Sequence, residues 1–205
     1  MTAARRRRPV QARSRETVDR IVGAARALLA REGAAAFNTN RLAAEAGLGV
    51  GSVYEYFPNK QAIVSRLLDD TAEAESSAIL ALFEQLEGEP LEQVIDQIVA
   101  LTFALYRDNV GLYRVLWALS SEVREVGQRP AERLIIGEID RRLRPRAAEL
   151  RIDDVALASF VAFHMVESLA SRLAEQGEAW PTQVRTREIT RSVRRYLGIP
   201  APQTC

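Results

Sequence analysis

Residues 39–60 read TNRLAAEAGLGVGSVYEYFPNK, and this stretch predicts two short helices joined by a tight turn. Leu42 and Ala46 are four residues apart, so they lie on one face of the first helix. Gly47 suits the position after that helix, because glycine adopts a positive φ without steric cost. Gly49 suits the N-cap of the second helix. The pattern favours a helix-turn-helix unit, and the plainer alternative is an ordinary helical hairpin.

The second helix carries groups that suit contact with a polyanion. Ser52, Tyr54 and Tyr56 supply hydroxyls, and Lys60 supplies an ammonium group. Lys60 is also the only lysine of the chain, since the other cations are arginines. The side chains predicted to face inward are Val53 and either Tyr56 or Phe57. These groups favour a surface that binds phosphate.

Charge is divided unevenly along the chain. Residues 1–60 carry 11 cations and 5 anions, whereas the remaining residues carry 17 cations and 22 anions. Four consecutive arginines at positions 5–8 concentrate the positive charge. We expect residues 1–12 to form a disordered basic arm that can still reach phosphates or a minor groove. A basic segment on an acidic body is typical of a nucleic-acid contact surface attached to a larger module.

Hydrophobic periodicity predicts helices along the rest of the chain and no strands, since no segment alternates with a period of two. An apolar stripe predicts a first helix over residues 15–31. Asn59 is expected to cap a long helix that joins two modules, and Asp153 a later one. The predicted fold is all-α with about nine helices. Its parts are the arm, a three-helix helix-turn-helix domain over residues 13–58, and a helical ligand-binding and dimerisation domain over residues 59–205.

Composition limits the function classes. No run of 18 apolar residues is present, so no membrane span or membrane partner is expected. One histidine and one cysteine, Cys205, supply neither a metal site nor a disulfide framework, and they fit a reduced cytoplasmic setting. No nucleophile is paired with a base in the sequence. We therefore expect no cofactor and no enzymatic activity.

The first third of the chain resembles the DNA-binding domain of the TetR family of transcriptional regulators. The runs that carry the resemblance are RIVGAARALLAREG at 20–33, TNRLAAEAGL at 39–48 and GSVYEYFPNK at 51–60. The resemblance implies a homodimer that binds double-stranded DNA at a palindromic operator, with a small-molecule effector bound between helices of the C-terminal domain. It also implies a bacterial protein that is associated with the nucleoid when it occupies its operator.

The resemblance assigns DNA-contact roles by position in the motif. Residues at the start of the first motif helix face the backbone or a base edge, residues at the start of the recognition helix enter the groove, and later residues hold phosphates. These three sets are Thr39, Asn40 and Arg41; Val50, Gly51 and Ser52; and Tyr54, Tyr56 and Lys60. Glu55 either accepts a hydrogen bond from a cytosine amino group or points to solvent.

Two positions depart from the family pattern. The family commonly has serine or threonine where Gly49 lies and a polar residue where Val50 lies. Because Val50 cannot hydrogen-bond a base, contact there would be apolar, for example with a thymine methyl group.

Most aromatic residues lie in the C-terminal domain, where the resemblance implies the effector pocket. The predicted lining is Phe83, Phe103, Tyr106, Tyr113, Arg114, Trp117, Phe163 and His164. The best pocket candidate is the cluster of Tyr106, Tyr113, Arg114 and Trp117, which combines flat apolar area with polar tips. The alternative for each aromatic side chain is ordinary core, and the alternative for His164 is a buried histidine with its hydrogen bonds satisfied. The effector is expected to be largely apolar.

The last two helices are predicted to form a four-helix interface with a second subunit, because they are too apolar to be covered by one chain. The residues predicted at this interface are Ala156, Phe160, Phe163, Glu167, Ala170, Ile189, Val193 and Tyr196.

The function that these features favour is a transcriptional repressor released from its operator by a small molecule. Activation in place of repression is left open by the sequence. The alternative function is a helical ligand-binding or scaffold protein that does not bind an operator, and Gly49 and Val50 are the features that favour it.

Overall fold

The computed structural model describes the backbone of residues 4–119, 130–176 and 183–199, and the side chains of residues 14–114, 132–173 and 186–199. Within these ranges the chain forms ten α-helices, two 3-10 turns and no strand. The helices are α1 (Ala4–Glu32), α2 (Thr39–Ala46), α3 (Val50–Tyr56), α4 (Lys60–Gln85), α5 (Leu91–Asp108), α6 (Val110–Leu119), α7 (Pro130–Leu143), α8 (Ala147–Leu150), α9 (Val155–Gln176) and α10 (Gln183–Tyr196). The 3-10 turns are Ala34–Ala36 and Arg144–Arg146. The predicted all-α fold is confirmed.

Helix α1 begins earlier than the apolar stripe predicts. It starts at Ala4, inside the segment that composition assigns to a disordered arm. Alanine and arginine are both strong helix formers and favour this extension, whereas Pro9, the sixth residue of the helix, opposes it because it lacks a backbone N–H. The side chains of the four arginines at positions 5–8 lie outside the described ones, and their contact with DNA stays a prediction.

The chain divides into two compact units, and it passes from the first to the second inside α4, between Asp70 and Thr71. The segment Val115–Arg124, which begins inside α6, is assigned to the first unit. The sequence places the boundary earlier, between residues 58 and 59. Ile63, Val64 and Leu67 are buried and lie in the part of α4 that belongs to the first unit. The first turns of α4 therefore belong to the helix-turn-helix unit, although α4 is one continuous helix.

The first unit is built on α1. Helix α1 packs on α2, and α2 packs on α3. Its core contains the buried side chains Ile21, Leu28 and Leu29 of α1 and Leu42 of α2. Asn59 begins α4 as predicted, because its Oδ1 accepts a hydrogen bond from the Ala62 N–H at 2.9 Å.

The second unit holds two hydrophobic clusters. The larger joins α5, α7, α8, α9 and α10, and the smaller joins α4, α5 and α7. Helix α9 is capped by Asp154, whose Oδ1 accepts from the Leu157 N–H at 3.0 Å. The prediction that Asp153 caps this helix is wrong by one residue, since two adjacent aspartates offer the same signal and the helix starts at Val155.

Helix α10 ends at a glycine that is packed against backbone. Gly198 has a φ of 69°, and the Ile199 N–H donates to the Arg194 carbonyl at 2.9 Å, which closes the last turn. A Cβ placed on Gly198 would lie 2.5 Å from the carbonyl oxygen of Leu150. Glycine is required here both for its backbone conformation and for its size.

Candidate functional site

The turn between α2 and α3 has the geometry that the sequence predicts. Asn38 caps α2, because its Oδ1 accepts a hydrogen bond from the Arg41 N–H at 3.0 Å. Gly47 ends α2 in the left-handed region with a φ of 63°, and Gly49 is the N-cap of α3. Both glycine predictions are confirmed. Asn38 was not predicted, although asparagine before a helical pattern is a recognised N-cap signal.

Helix α3 has one buried anchor and an outward face. Val53 is fully buried, with 0% of its surface exposed, and Phe57 is buried directly after the helix. Phe57 therefore completes the inward face in place of Tyr56, which is half-buried. Tyr54 is 51% exposed, and its hydroxyl lies 3.5 Å from Thr39 Oγ1.

The remaining predicted DNA contacts are also accessible. Gly51, Glu55 and Asn40 are exposed, while Val50 and Ser52 are half-buried at the start of α3. These positions lie in the helices on either side of the α2–α3 turn, within one unit, and their roles in entering the groove and binding phosphate stay predictions.

Lys60 is exposed as the first residue of α4. Among the side chains that the structure describes, none forms an ion pair or hydrogen bond with its ammonium group. An exposed ammonium without an internal partner is free to bind a phosphate.

Arg41 differs from Lys60, because its charge is already balanced. Its guanidinium is bonded to Glu32 Oε2, and Glu32 Oε1 accepts from Arg31 at 3.1 Å. Arg31 also makes two bonds to Glu45, at 2.9 and 3.1 Å, and these bonds hold the pKa of the Glu45 carboxyl below its usual range. Two cations and two anions thus connect the end of α1 to α2.

Arg20 was missed by sequence reasoning. Its Nη2 donates to the Ala46 carbonyl at 2.6 Å and lies 3.3 Å from the Gly47 carbonyl. Both acceptors belong to the turn that separates α2 from α3. No spacing rule signals such a contact, because it joins residues 26 positions apart.

The second unit contains a polar cluster around two stacked tyrosines. The rings of Tyr106 and Tyr113 are stacked, with centroids 5.0 Å apart and planes inclined by 13°. The Tyr113 hydroxyl donates to Glu75 Oε2 at 2.5 Å, and Asn109 Nδ2 donates to Glu75 Oε1 at 3.1 Å. The Tyr106 hydroxyl donates to Glu167 Oε1 at 3.1 Å. The cluster joins α4, α5, α6 and α9 through the ends of these side chains.

Glu75 is the member of this cluster that sequence reasoning missed. It is a buried carboxylate within α4. A signal was present, since Glu75 lies four residues from Thr71 and from Ile79, both on the buried stripe of that helix. A buried carboxylate needs hydrogen-bond donors, which Tyr113 and Asn109 provide.

The other predicted pocket residues are dispersed. Phe83 and Phe103 are buried in the two different hydrophobic clusters, and the Arg142 guanidinium lies 4.7 Å from the centre of the Phe83 ring. Arg114 is exposed, and the side chain of Trp117 lies outside the described residues. The predicted grouping of Tyr106, Tyr113, Arg114 and Trp117 therefore holds only for the two tyrosines among the side chains that can be compared.

His164 is half-buried beside two aromatic rings. Its ring lies 4.2 Å from that of Phe160 and 5.0 Å from that of Phe163, centre to centre. Its Nε2 is 3.5 Å from Glu132 Oε1. These contacts place His164 with Phe163 at the junction of α7 and α9.

Two residues of the predicted dimer interface are internal. Ala170 has 0% of its surface exposed and Val193 is also buried, and both belong to the larger cluster of the second unit. Their prediction as interface residues is wrong, because α9 and α10 pack these side chains against α5 within one chain. Of the remaining predicted residues, Ala156, Phe160 and Tyr196 are exposed. Those that are half-buried are Phe163, Glu167 and Ile189.

Large apolar side chains are exposed on more than one side of α9. Leu157 and Leu169 are exposed along with Phe160, at 55%, 43% and 44% of their surfaces. The apolar stripe that the sequence shows on α9 thus divides into an inward part and an outward part.

Two absences apply to the residues that the structure describes. No group of three or more histidine, cysteine, aspartate or glutamate side chains is arranged to hold a metal ion among them. No helix in the same ranges is both long and apolar enough to cross a membrane.

Family profiles match both halves of the chain. The profile described as "Bacterial regulatory proteins, tetR family" matches residues 21–67, and that described as "Tetracyclin repressor-like, C-terminal domain" matches residues 90–197. With the helix-turn-helix geometry, they define a DNA-binding transcriptional regulator with a C-terminal ligand-binding domain. The chain belongs to the TetR family. No curated protein shows a significant sequence match.

Solved structures share the fold at low sequence identity. A TetR-family transcriptional regulator from Pectobacterium atrosepticum has a TM-score of 0.66 at 15% identity, covering 89% of this chain and 93% of that chain. A TetR-family regulator from Streptomyces coelicolor has a TM-score of 0.56 at 20% identity, covering 89% and 98%. FadR from Bacillus subtilis, solved in complex with stearoyl-CoA, has a TM-score of 0.56 at 20% identity, covering 88% and 98%.

Proposed function

We propose that this regulator is a homodimeric repressor that binds a palindromic operator and leaves it when a small molecule binds the second unit. The observation that carries the proposal is the arrangement of α3. Val53 fixes the helix inward and Tyr54 presents a hydroxyl on its outside. Lys60, the first residue of α4, presents an exposed ammonium group that has no partner among the described side chains. Such groups hold the DNA backbone and set the register of the helix in the groove. The protein would then act in the cytoplasm, on the nucleoid.

Sequence readout in this proposal rests on few groups. Val50, Gly51 and Ser52 form the tip of α3, and only Ser52 among them has a polar side chain. Arg41 is bonded to Glu32, so its charge is less available to a phosphate than that of Lys60. We infer that Asn40 and the shape of the operator supply much of the specificity.

Dimerisation is proposed through exposed side chains of α9 and α10. Leu157, Phe160, Leu169 and Tyr196 are large apolar or aromatic side chains that remain exposed on these helices. Covering them against a second copy would remove apolar surface from water. A dimer would also double the DNA contacts across a palindrome, with recognition helices about 34–36 Å apart or a multiple of that distance.

The effector site is proposed at the stacked tyrosines. Tyr106 and Tyr113 offer ring surface, and Glu75 and Glu167 fix their hydroxyls. The fold relative FadR holds stearoyl-CoA, a ligand with a long apolar part. We propose a largely apolar effector here. It releases the operator only if it binds the DNA-free conformation more tightly than the DNA-bound one.

The experiment that tests the function is footprinting on the genomic region beside the gene. A repressor of this type should protect two symmetric half-sites and bind them as two chains per duplex. A folded protein that shifts no fragment at low salt would favour the alternative of a ligand-binding or scaffold protein.

Lys60→Ala should weaken binding to every duplex by a similar factor. Each subunit loses one phosphate contact, so the magnitude of the slope of log affinity against log salt should fall by about 0.9 per subunit. For a dimer on its operator the fall is about 1.8. The measurement is a salt titration of binding to an operator fragment and to a random duplex.

Lys60→Arg and Arg66→Ala serve as controls for this test. The first keeps the charge and should keep the slope. The second removes an α4 cation that is already paired with Asp70 at 2.6 Å, so the slope should change little. Loss of discrimination at one base position, with unchanged affinity for random duplex, would contradict the phosphate role of Lys60.

Tyr106→Ala and Tyr113→Ala should each blunt the response to effector while leaving operator affinity within about twofold. Each variant removes one ring of the stacked pair, and a lost contact of about 1.4 kcal/mol raises the effector concentration needed tenfold. The measurement is operator release by a panel of apolar small molecules. Arg114→Ala is the control, since its side chain is exposed. Loss of helical circular dichroism together with loss of response would show that the rings are ordinary core.

A further inference from the structure

We infer that Arg20 is a positioning residue for the recognition helix. It lies on α1, yet its guanidinium bonds the two carbonyl groups that end α2, those of Ala46 at 2.6 Å and Gly47 at 3.3 Å. The last carbonyls of a helix have no partner within the helix, so they need donors from elsewhere. A cation at this end also interacts favourably with the helix dipole.

The same turn explains why Arg20 can reach these atoms. A Cβ on Gly47 would lie 3.3 Å from Nη2 of Arg20, which is tighter than an ordinary contact. Gly47 therefore serves two purposes. Its φ of 63° turns the chain between the helices, and its lack of a side chain leaves room for the guanidinium.

The contact acts on α3 through the chain that follows it. One residue, Leu48, separates Gly47 from the N-cap of α3 at Gly49. The Leu48 N–H donates to the Ala43 carbonyl at 2.9 Å, so the turn is held to α2 by its backbone and to α1 by Arg20. Because α3 has seven residues and its only fully buried side chain is Val53, the turn contributes much of its orientation.

A misplaced recognition helix loses base contacts before it loses phosphate contacts. Base contacts need hydrogen-bond geometry at fixed groove positions, whereas backbone attraction depends mainly on charge. Arg20 should accordingly affect the ratio of operator affinity to random-duplex affinity. This inference rests on the proposed operator binding.

The test compares Arg20→Met with wild-type protein on two probes. One is a duplex selected from random sequence by the wild-type protein, and the other is a shuffled duplex of the same composition. We expect Arg20→Met to weaken binding to the selected duplex about tenfold and to the shuffled duplex less than about twofold, well below the unfolding temperature. Arg20→Lys keeps one donor and should recover most of the ratio.

Arg31→Met is the matched control. It removes the same group from the same helix, and Arg31 also contacts α2, but through the side chain of Glu45 and not through the turn. We expect its affinity ratio to equal that of the wild type.

Three results would overturn the inference. Lower thermal stability of Arg20→Met with an unchanged ratio would mean a purely structural role. Equal losses on both duplexes would mean that Arg20 binds a phosphate itself. An equal fall in the ratio for Arg31→Met would mean that any link between α1 and α2 has the same effect. If the wild-type protein selects no duplex at all, the proposed function fails instead.

Discussion

Gly198→Ala is expected to lower the free energy of unfolding by roughly 3 kcal/mol. The left-handed backbone at Gly198, with its φ of 69°, costs an alanine about 1–2 kcal/mol. The added methyl group would also lie 2.5 Å from the Leu150 carbonyl oxygen, and backbone shifts of this kind cost about 1–3 kcal/mol. The contact cannot be relieved by a side-chain rotation, because its partner is backbone.

Thermal unfolding followed by circular dichroism measures this loss, which corresponds to a fall of about 6–12 °C. Gly137→Ala is the matched control. Gly137 lies within α7, where an added Cβ meets nothing within 4 Å, so alanine should stabilise the protein by about 0.5–1 kcal/mol. A Gly198→Ala variant as stable as the wild type would contradict both the backbone conformation and the close approach of α8 to the end of α10.

Phe57→Ala and Tyr54→Ala are expected to separate folding from DNA binding. Phe57 is buried after α3, and removing a buried phenyl ring costs about 3–5 kcal/mol. Tyr54 is 51% exposed on the same helix, so its truncation should cost less than about 0.5 kcal/mol. On DNA we expect Tyr54→Ala to lose about fivefold in affinity through one phosphate hydrogen bond, worth about 1 kcal/mol.

Chemical denaturation gives the free energy of unfolding of each variant, and DNA titration gives its affinity for DNA. Tyr54→Phe refines the result, because it keeps the ring and removes the hydroxyl. A large stability loss for Tyr54→Ala, or DNA binding equal to the wild type, would show that Tyr54 belongs to the packing of α3 and not to the interface.

The sequence predicted the helix-turn-helix unit well because its signals are local. Gly47 and Gly49 mark the turn by backbone preference, and Leu42, Val53 and Phe57 mark the buried face by spacing. Each such rule depends on residues within one or two helical turns. The structure accordingly confirms the two glycines and the buried anchors of α2 and α3.

Contacts between distant positions could not be predicted in this way. Arg20 meets the turn from 26 residues away, and Tyr106 meets Glu167 across 61 residues. A charged side chain on a helix surface gives no indication of which backbone or carboxylate it will reach. The ion pair of Arg41 with Glu32 was missed for the same reason, since Glu32 lies on another helix. The assignment of Arg41 to DNA stays a prediction.

Two of the eight predicted interface residues, Ala170 and Val193, were misassigned for a different reason. An apolar stripe on a helix predicts burial but does not identify what covers it. Ala170 and Val193 are covered by the same chain, whereas Leu157 and Leu169 are not. Core and interface side chains have the same helical spacing, so periodicity alone does not distinguish them.

The single lysine gives the protein an unusual chemistry. Guanidinium groups do not react with activated esters at neutral pH, because they stay protonated. Apart from the α-amino group, the one amine of the chain is the exposed Lys60 side chain. An amine-directed fluorophore or crosslinker would therefore attach, without any engineered cysteine, at the position proposed to touch the phosphate. Because each subunit has one lysine, the extent to which DNA protects Lys60 from acylation would report the fraction of subunits bound to DNA.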